Sequence, residues 1–469
     1  MTRSLCLLTL LGALSLGACA VGPDYQRPAI DLGDGWATEV ADDGAALDLD
    51  EWWRSFGDAE LDRLVARALE QNLDVREAAA RIGEARALRD AAAGGQYPAA
   101  DARAAVTRRR QSENGPLPIE RIPGIERDQT IYDPGFDAVW ELDLFGRTRR
   151  AVDAADERVL AAVERRRAAQ TTVAAEVARS YLSLRGVQHE LAARRAAVVA
   201  ARRSTDLVRL QLDAGDVPRA ALAQAEAELA ALEAQLPPLE SGKRAAALSL
   251  GVLLGGLPES ELALADTSSA YAALAPIPVG ERADLLRRRP DVRAAEHALA
   301  AATADIGVNT AALFPRIALN AGGGYQSLDT GNLFASGSET WSVTPLISWH
   351  IFSGGRIRAE VHASEARAEV AALEYEKAIK LALSDAEQAL TRYNFGLAAL
   401  ERQQAALTAA RRSYGYAEIR YRAGDISLIE LLAAERALRD AEDAHARTHT
   451  QTATQLVALY KALGGGWTD

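Results

Sequence analysis

The sequence predicts a mainly α-helical chain that carries a few membrane-type β-strands and consists of two similar halves. The 469 residues are 49% hydrophobic but only 6% aromatic. Ala and Leu are abundant, and a helix accommodates these residues at the least cost. Long segments lack proline, whereas short segments alternate between apolar and polar residues. Several short patterns also occur twice at equal spacing, which is the signature of an internal repeat.

The N-terminus predicts a lipoprotein signal. Arg3 precedes an apolar run that is too short for a typical membrane span, and Leu16-Gly17-Ala18-Cys19 follows it. Small residues before a cysteine are typical of a lipobox, so we expect the Cys19 thiol to be lipidated. Ala20 stands where an aspartate would favour retention in the inner membrane, and this favours the outer membrane. The mature chain has no run of 18 apolar residues, so we expect any membrane crossing to use β-strands.

The repeat is visible in paired glycines. Gly146 and Gly215 are 69 residues apart, as are Gly355 and Gly424. Equal spacing at several such pairs predicts two copies of one unit. The predicted segments are a signal peptide (1–18), a lipidated N-terminal and equatorial segment (19–57), a first repeat (58–256, with a β-hairpin at about 99–146), an equatorial connector (257–280), and a second repeat with a C-terminal equatorial segment (281–469, with a β-hairpin at about 316–355).

Each repeat contains a very long helical stretch. Residues 147–213 include no proline and one glycine, and such a helix would be about 100 Å long. We expect turns at Gly215 and Gly424, because glycine accepts the left-handed geometry of a helix C-cap. Residues 218–252 are predicted to form a returning helix with an apolar stripe, as residues 58–96 are predicted to form an earlier one.

The segments before the long helices change to a period of two. In Phe136–Leu144 one face is apolar, while Asp137, Glu141 and Asp143 lie on the other face and are predicted to line a wet lumen. About ten residues of such alternation fit a membrane strand. Each chain offers four strands, which are too few to close a barrel, so the chain must share a barrel with other copies.

Several function classes are disfavoured. The net charge of −12 argues against a nucleic-acid partner. No catalytic, phosphate-binding or cofactor motif is present, so we expect no enzyme and no cofactor. His445 and His449 are four residues apart, but they match no zinc motif, and we expect no metal site. We interpret the run Arg287-Arg288-Arg289 as a solvated cap before a helix.

The chain resembles the TolC-like outer-membrane efflux factors, in their NodT-type lipoprotein branch, over essentially its whole length. The segments that carry the resemblance are Cys19-Ala20-Val21-Gly22-Pro23-Asp24-Tyr25, Trp52-Trp53-Arg54-Ser55-Phe56, residues 140–147, residues 285–293 and residues 459–467. The resemblance implies a homotrimer whose four strands per chain form one 12-stranded outer-membrane β-barrel, continuous with a long periplasmic α-helical barrel. It also implies a periplasmic membrane-fusion adaptor and an inner-membrane RND transporter as partners.

The expected function is the passive exit duct of an RND-type drug-efflux pump, lipid-anchored in the outer membrane. The alternatives are a similar duct for metal efflux or type I secretion, and a periplasmic lipoprotein scaffold without a pore. The family's periplasmic gate often uses an aspartate at the position of Ala433, so that residue does not carry over. The remaining acidic gate candidates are Asp216, Asp425 and Glu430, and each is also compatible with a solvated surface role.

Overall fold

A computed structural model describes residues 20–33, 35–38, 49–112, 126–267 and 271–467, and the predicted lipidation site Cys19 lies outside these ranges. In this part of the chain nine α-helices and four β-strands are present. The helices are α1 (Ala59–Gln71), α2 (Leu73–Gly94), α3 (Arg147–Ala214), α4 (Arg219–Glu233), α5 (Leu236–Leu253), α6 (Arg282–Arg288), α7 (Pro290–Thr310), α8 (Arg356–Arg422) and α9 (Leu428–Ala462), and the strands are β1 (Ala99–Arg110), β2 (Asp128–Leu142), β3 (Arg316–Tyr325) and β4 (Glu339–Ser348).

The two long helices agree with the sequence prediction. Helix α3 has 68 residues and helix α8 has 67, and both are continuous. Each follows a strand after a short connection and ends at one of the predicted glycine turns. Among the described helices, none is long and apolar enough to cross a lipid bilayer.

Two stretches that were predicted as single helices are interrupted. The break between α1 and α2 lies at Asn72, whose side-chain oxygen accepts a hydrogen bond from the backbone N–H of Asp74 at 2.8 Å. The break between α4 and α5 comes just before Pro237 and Pro238, which stand in the first turn of α5. Proline fits a first turn because it has no N–H to donate. The equivalent helix of the second repeat, α9, contains no proline and is unbroken.

The four strands form one antiparallel sheet in the order β1-β2-β3-β4. The pairing of β2 with β3 joins the two repeats and brings Gly135 opposite Gly324. A Cβ atom added at Gly324 would lie 2.4 Å from the carbonyl oxygen of Pro134. The glycine run 322–324 therefore permits a close approach of two strands.

The chain divides into two compact units that cut across the repeats. The first contains residues 1–28, 82–161 and 295–375 and includes the sheet; the second contains residues 29–81, 162–294 and 376–469. The second unit holds a large apolar core, where Trp52 is 1% exposed and stacks on Tyr460 with ring centroids 5.0 Å apart. Because each unit draws on both halves of the sequence, neither sequence repeat is one compact unit.

The same helix junction occurs once in each repeat. Asn72 donates from its side chain to the carbonyl oxygen of Leu253 at 2.8 Å, and Arg289 donates to that of Ala462 at 3.1 Å. Each acceptor is the carbonyl of the last residue of a returning helix, where intrahelical donors run out. Arg289 is only 9% exposed, so the interpretation of this arginine as part of a solvated cap was wrong.

Candidate functional site

The sheet has a polar face that carries two of the predicted lumen residues. Asp137 lies 3.2 Å from Arg103 (Oδ2 to Nη1), and Glu141 accepts a hydrogen bond of 2.6 Å from Nη2 of Arg316. Both pairs join neighbouring strands of the sheet, from β1 to β2 and from β2 to β3. On this face Asp137 and Glu141 are therefore each paired with an arginine of a neighbouring strand.

Sequence reasoning missed Arg103 and Arg316, although a signal for them existed. Arg103 shares the period-two parity of Asp101 and Arg109 along β1, so strand alternation alone places it on the polar face. What the sequence lacked was the register, which sets Arg316 beside Glu141. Strand alternation identifies the face on which a residue lies, whereas its partner depends on the neighbouring strand.

The third predicted lumen residue has a different position. Strand β2 ends at Leu142, and Asp143 lies just beyond it. The Asp143 carboxylate accepts a 2.8 Å hydrogen bond from the backbone N–H of Arg149, in the first turn of α3. A carboxylate at this place satisfies an N–H group that has no helical partner and complements the positive end of the helix.

The opposite face of the sheet is apolar and exposed. The ring of Phe136 covers Gly323, where an added Cβ would meet the ring at 3.1 Å. Trp341 is 82% exposed. A continuous apolar surface of this kind marks contact with a membrane or another chain. Its residues include Ala100, Ala102, Ala104, Val106, Phe136, Ala138, Trp140, Ile317, Leu319, Ala321, Trp341, Val343 and Ile347.

Two tryptophans mark the end of the sheet that is attached to the helices. The indole N–H of Trp140 donates to the carbonyl oxygen of Gln96 at 3.0 Å, and that of Trp349 donates to Leu313 at 2.9 Å. The two indoles occupy equivalent positions in the two repeats. Tryptophan is favoured at membrane interfaces because one part of its ring system is apolar while the N–H remains hydrogen-bonded.

The predicted helix turns are two copies of one backbone motif. Gly215 and Gly424 have φ angles of +84° and +79°. The N–H of Asp216 donates to Gln211 at 2.8 Å, and the N–H of Asp425 donates to Arg420 at 2.9 Å. With a second, shorter-range bond from each glycine N–H, this is the pattern of a Schellman cap. Asp216 and Asp425 are thereby fixed by their backbone beside the turns.

Glu430 lies in the first turn of α9, close to the second of these turns. Its carboxylate accepts hydrogen bonds from the backbone N–H of Ser427 at 2.8 Å and from the Ser427 hydroxyl at 2.9 Å. The Ser427 hydroxyl also caps the N–H of Glu430, so the two residues form a capping box. The hydrogen bonds from the Ser427 backbone and side chain lower the pKa of Glu430. The residue is thus a helix cap that keeps its negative charge.

The histidines that were weighed as metal ligands pack around an aromatic ring instead. Tyr271 stacks on His189 with centroids 4.1 Å apart and contacts His449 at 4.5 Å. A ring nitrogen of His449 lies 2.9 Å from the carbonyl oxygen of Ala272, and burial lowers the pKa of His449. Within the described ranges no group of three or more histidine, cysteine or acidic side chains is placed to hold a metal ion.

The sequence matches the family described as outer membrane efflux protein over residues 64–256 and 282–465. The chain belongs to this family. Outer membrane protein OprJ of Pseudomonas aeruginosa is 35% identical over 471 residues, covering 98% of this chain and 95% of the relative. The toluene efflux pump outer membrane protein TtgI of Pseudomonas putida is 33% identical over 467 residues, with 98% of both chains covered.

Solved structures of the family agree with the fold. The outer-membrane channel OprN is similar with a TM-score of 0.84 at 34% identity, covering 96% of this chain and 100% of that one. The expected fold class, mainly helical with four strands, is therefore confirmed, as is the expectation of an outer-membrane efflux protein.

Proposed function

We propose that the chain is the passive exit duct of a tripartite RND-type efflux pump in the outer membrane. The observation that carries the proposal is a four-stranded sheet with one apolar and one ion-paired face. Among the described residues, no strand pairs with the outer edge of β1 or of β4. A sheet edge exposed to lipid is not viable, because every backbone group there needs a partner. The edge of β1 in one copy would pair with β4 of the next.

Three copies would supply twelve strands and close one barrel, as the family resemblance implies. The ion-paired face, with Asp137 and Glu141, would line the lumen, and the apolar face would contact lipid. The long helices would form the periplasmic tunnel, with the turns at Gly215 and Gly424 at its far tip. A duct needs no catalytic residue, since an inner-membrane RND transporter, joined through a periplasmic adaptor, would supply the energy.

The N-terminus supports a lipid anchor at Cys19. The backbone N–H of Val21 donates to the carbonyl oxygen of Phe145 at 3.1 Å, and Ala20 lies against Gly146. These contacts hold the residue that follows Cys19 beside the junction of β2 and α3, close in sequence to Trp140. An acyl chain on Cys19 would therefore start near the helix side of the apolar band, where the inner leaflet would lie.

The relatives suggest a cargo of small organic molecules. Several carry names of solvent, toluene or antibiotic efflux pumps. A metal cargo is the second candidate, but the only methionine is the initiator and the six histidines are few. The inner-membrane pump would determine which cargo is exported, while this chain would provide the channel through the outer membrane.

The proposal is tested by imaging the purified particles and by recording single channels. The full-length lipidated protein, extracted in detergent, is expected to give three-fold particles with a hollow stalk and to form discrete single channels in a planar bilayer. Expression in a strain that lacks its own exit duct should restore tolerance to toluene when the adaptor and pump are present. A monomeric or solid particle without conductance would leave the lipoprotein scaffold as the better description.

We further propose that Asp216, Asp425 and Glu430 contribute negative charge at a periplasmic gate. Because Gln can also complete a capping box, Glu430→Gln should remove the charge and preserve the helix start. In a KCl gradient we expect Glu430→Gln with Asp425→Asn to shift the reversal potential toward equal cation and anion permeability, since rings of acidic residues select cations.

The matched control for the gate is Glu401→Gln. Glu401 is exposed on α8, 23 residues before Gly424, which is about 35 Å along the helix. This variant should leave both conductance and ion preference as in the parent protein. If the Glu430 and Asp425 variant shows the parent reversal potential, these carboxylates do not belong to a gate and act only in the turn and the cap.

A further inference from the structure

All four junctions between helices and strands lie at one end of the sheet. Strands β1 and β3 start there after α2 and α7, and strands β2 and β4 end there before α3 and α8. Strand β1 ends and strand β2 begins at the other end, the connection end, and so do β3 and β4. If the helices are periplasmic, as the proposed function requires, the connection end of the sheet faces the outer leaflet and the exterior.

The apolar face of the sheet has aromatic residues at both of its ends. Along β2, Trp140 and Tyr132 share this face and are eight residues apart, and Trp349 and Trp341 have the same separation on the β4 side. Eight residues of antiparallel strand extend about 27 Å along the strand, which is about 21 Å of bilayer depth at a tilt of about 40°. Aromatic girdles about 25 Å apart bound the lipid-facing band of outer-membrane proteins. Tyr132 and Trp341 therefore mark the outer boundary of the band.

Two arginines of β1 lie on the apolar face beyond this boundary. Val106 pairs with Tyr132, so Arg108 and Arg110 lie two and four residues beyond the register of Tyr132, about 7 and 14 Å along the strand. Arg109, which lies between them, points to the polar face and donates to the side-chain oxygen of Gln129 at 3.2 Å. The arginines thus alternate between the two faces at the level where lipid headgroups begin.

The positive charges of these two arginines are only weakly compensated by nearby carboxylates. Arg110 lies 3.8 Å from Asp128 (Nε to Oδ1), with 64% of its side chain exposed. Arg108 is opposite Thr130, and in the described part of the chain it has no ion pair. The chain as a whole has a net charge of −12, so an excess of positive charge at this place is local. Guanidinium groups match phosphate oxygens in charge and in bidentate geometry.

We propose that Arg108 and Arg110 bind the phosphate groups of a phosphorylated lipid headgroup in the outer leaflet. The inference rests on the proposed function, because it requires the apolar face to lie in the outer membrane. The acyl chains of the lipid would cover Val106 and the alanines of β1, and the phosphate would lie between the two guanidinium groups. The competing partner is Glu339 of a second copy, which lies at the same end of the other edge strand and on the same face.

The experiment measures lipid binding by the full-length trimer in detergent with native mass spectrometry. The probe is bis-phosphorylated lipid A, compared with monophosphoryl lipid A. We expect the parent protein to prefer the bis-phosphorylated form, and Arg108→Gln with Arg110→Gln to weaken its binding at least about tenfold, as the loss of charge-assisted hydrogen bonds implies. Arg109→Gln is the matched control and should bind like the parent.

Equal binding by the double variant and the parent would overturn the proposal. An equal loss of lipid A binding in Arg109→Gln would also overturn it, because binding would then depend on the total positive charge and not on the face of the sheet that carries it. If Glu339→Gln and the double variant both dissociate the trimer while lipid A binding per chain is unchanged, the arginines pair with the neighbouring copy instead. Conductance of the same preparations distinguishes failure of this inference from failure of the proposed function. A parent protein that forms channels but shows no preference for the bis-phosphorylated lipid contradicts only this inference.

Discussion

Replacing Arg289 with methionine is expected to destabilise the helical unit by about 1–3 kcal/mol, because it leaves the buried carbonyl oxygen of Ala462 without this donor and the half-exposed carboxylate of Asp291 without its partner. The guanidinium donates to both carboxylate oxygens of Asp291, at 3.0 and 2.7 Å, and to the carbonyl oxygen of Ala462 at 3.1 Å. Methionine fills similar space but satisfies none of these acceptors. Urea unfolding followed by circular dichroism, with hydrogen exchange of α7 and α9, measures the loss.

The neighbouring Arg288 provides the control. Its side chain is 41% exposed and lies 3.2 Å from Asp50. A surface pair of this kind contributes about 0–1 kcal/mol, so Arg288→Met should unfold nearly like the parent. Equal losses in the two variants would show that the burial of Arg289 does not matter, and the explanation offered for its role would fail.

The loss of stability in Arg289→Met is also expected to depend on pH. Burial raises the pKa of Asp291, but the hydrogen bond and charge of Arg289 outweigh burial and hold that pKa below its ordinary value. A lowered native pKa stabilises the fold above the unfolded pKa, about 3.9, and this contribution is lost as the pH falls. Without Arg289, the hydrogen bond and charge that lower the pKa of Asp291 are gone, so its native pKa lies closer to the unfolded value and contributes less to stability. The stability difference between parent and Arg289→Met should therefore shrink as the pH falls through about 4.

Gly255→Ala is the second substitution for which we expect a large loss, about 2–5 kcal/mol. Gly255 has a φ angle of +74°, and a Cβ there would lie 2.3 Å from the carbonyl oxygen of Gln71. The left-handed conformation costs an alanine about 1–2 kcal/mol, and displacing a packed backbone adds about 1–3 kcal/mol. Hydrogen exchange at the start of α2, where Asn72 contacts the end of α5, should report the change most directly.

Gly57→Ala separates the two contributions. Gly57 also has a positive φ angle, +65°, but an added Cβ would meet nothing within 4 Å. This variant should lose only the conformational part, about 1–2 kcal/mol. If Gly57→Ala and Gly255→Ala lose the same stability, the close approach to Gln71 contributes nothing, and backbone conformation alone explains the glycine.

The corrections to the sequence prediction have local and long-range causes. Residues 218–252 were predicted as one helix because their apolar stripe is regular, but Pro237 and Pro238 interrupt it, as proline chemistry requires. That signal was present in the sequence and was outweighed by periodicity. The burial of Arg289 had no such signal, since its neighbours Arg287 and Arg288 are of the same residue type and are exposed in the structure.

The sequence by itself determined the two repeats, the long helices, the glycine turns and the two faces of the strands. These features follow from periodicity and from the backbone preferences of glycine and proline, which are properties of neighbouring residues. The tertiary structure alone decided that Glu141 pairs with Arg316, 175 residues away, and that Arg289 is the buried arginine of its run. Such pairs depend on strand register and helix packing, which bring together residues whose spacing in the chain carries no record of their contact.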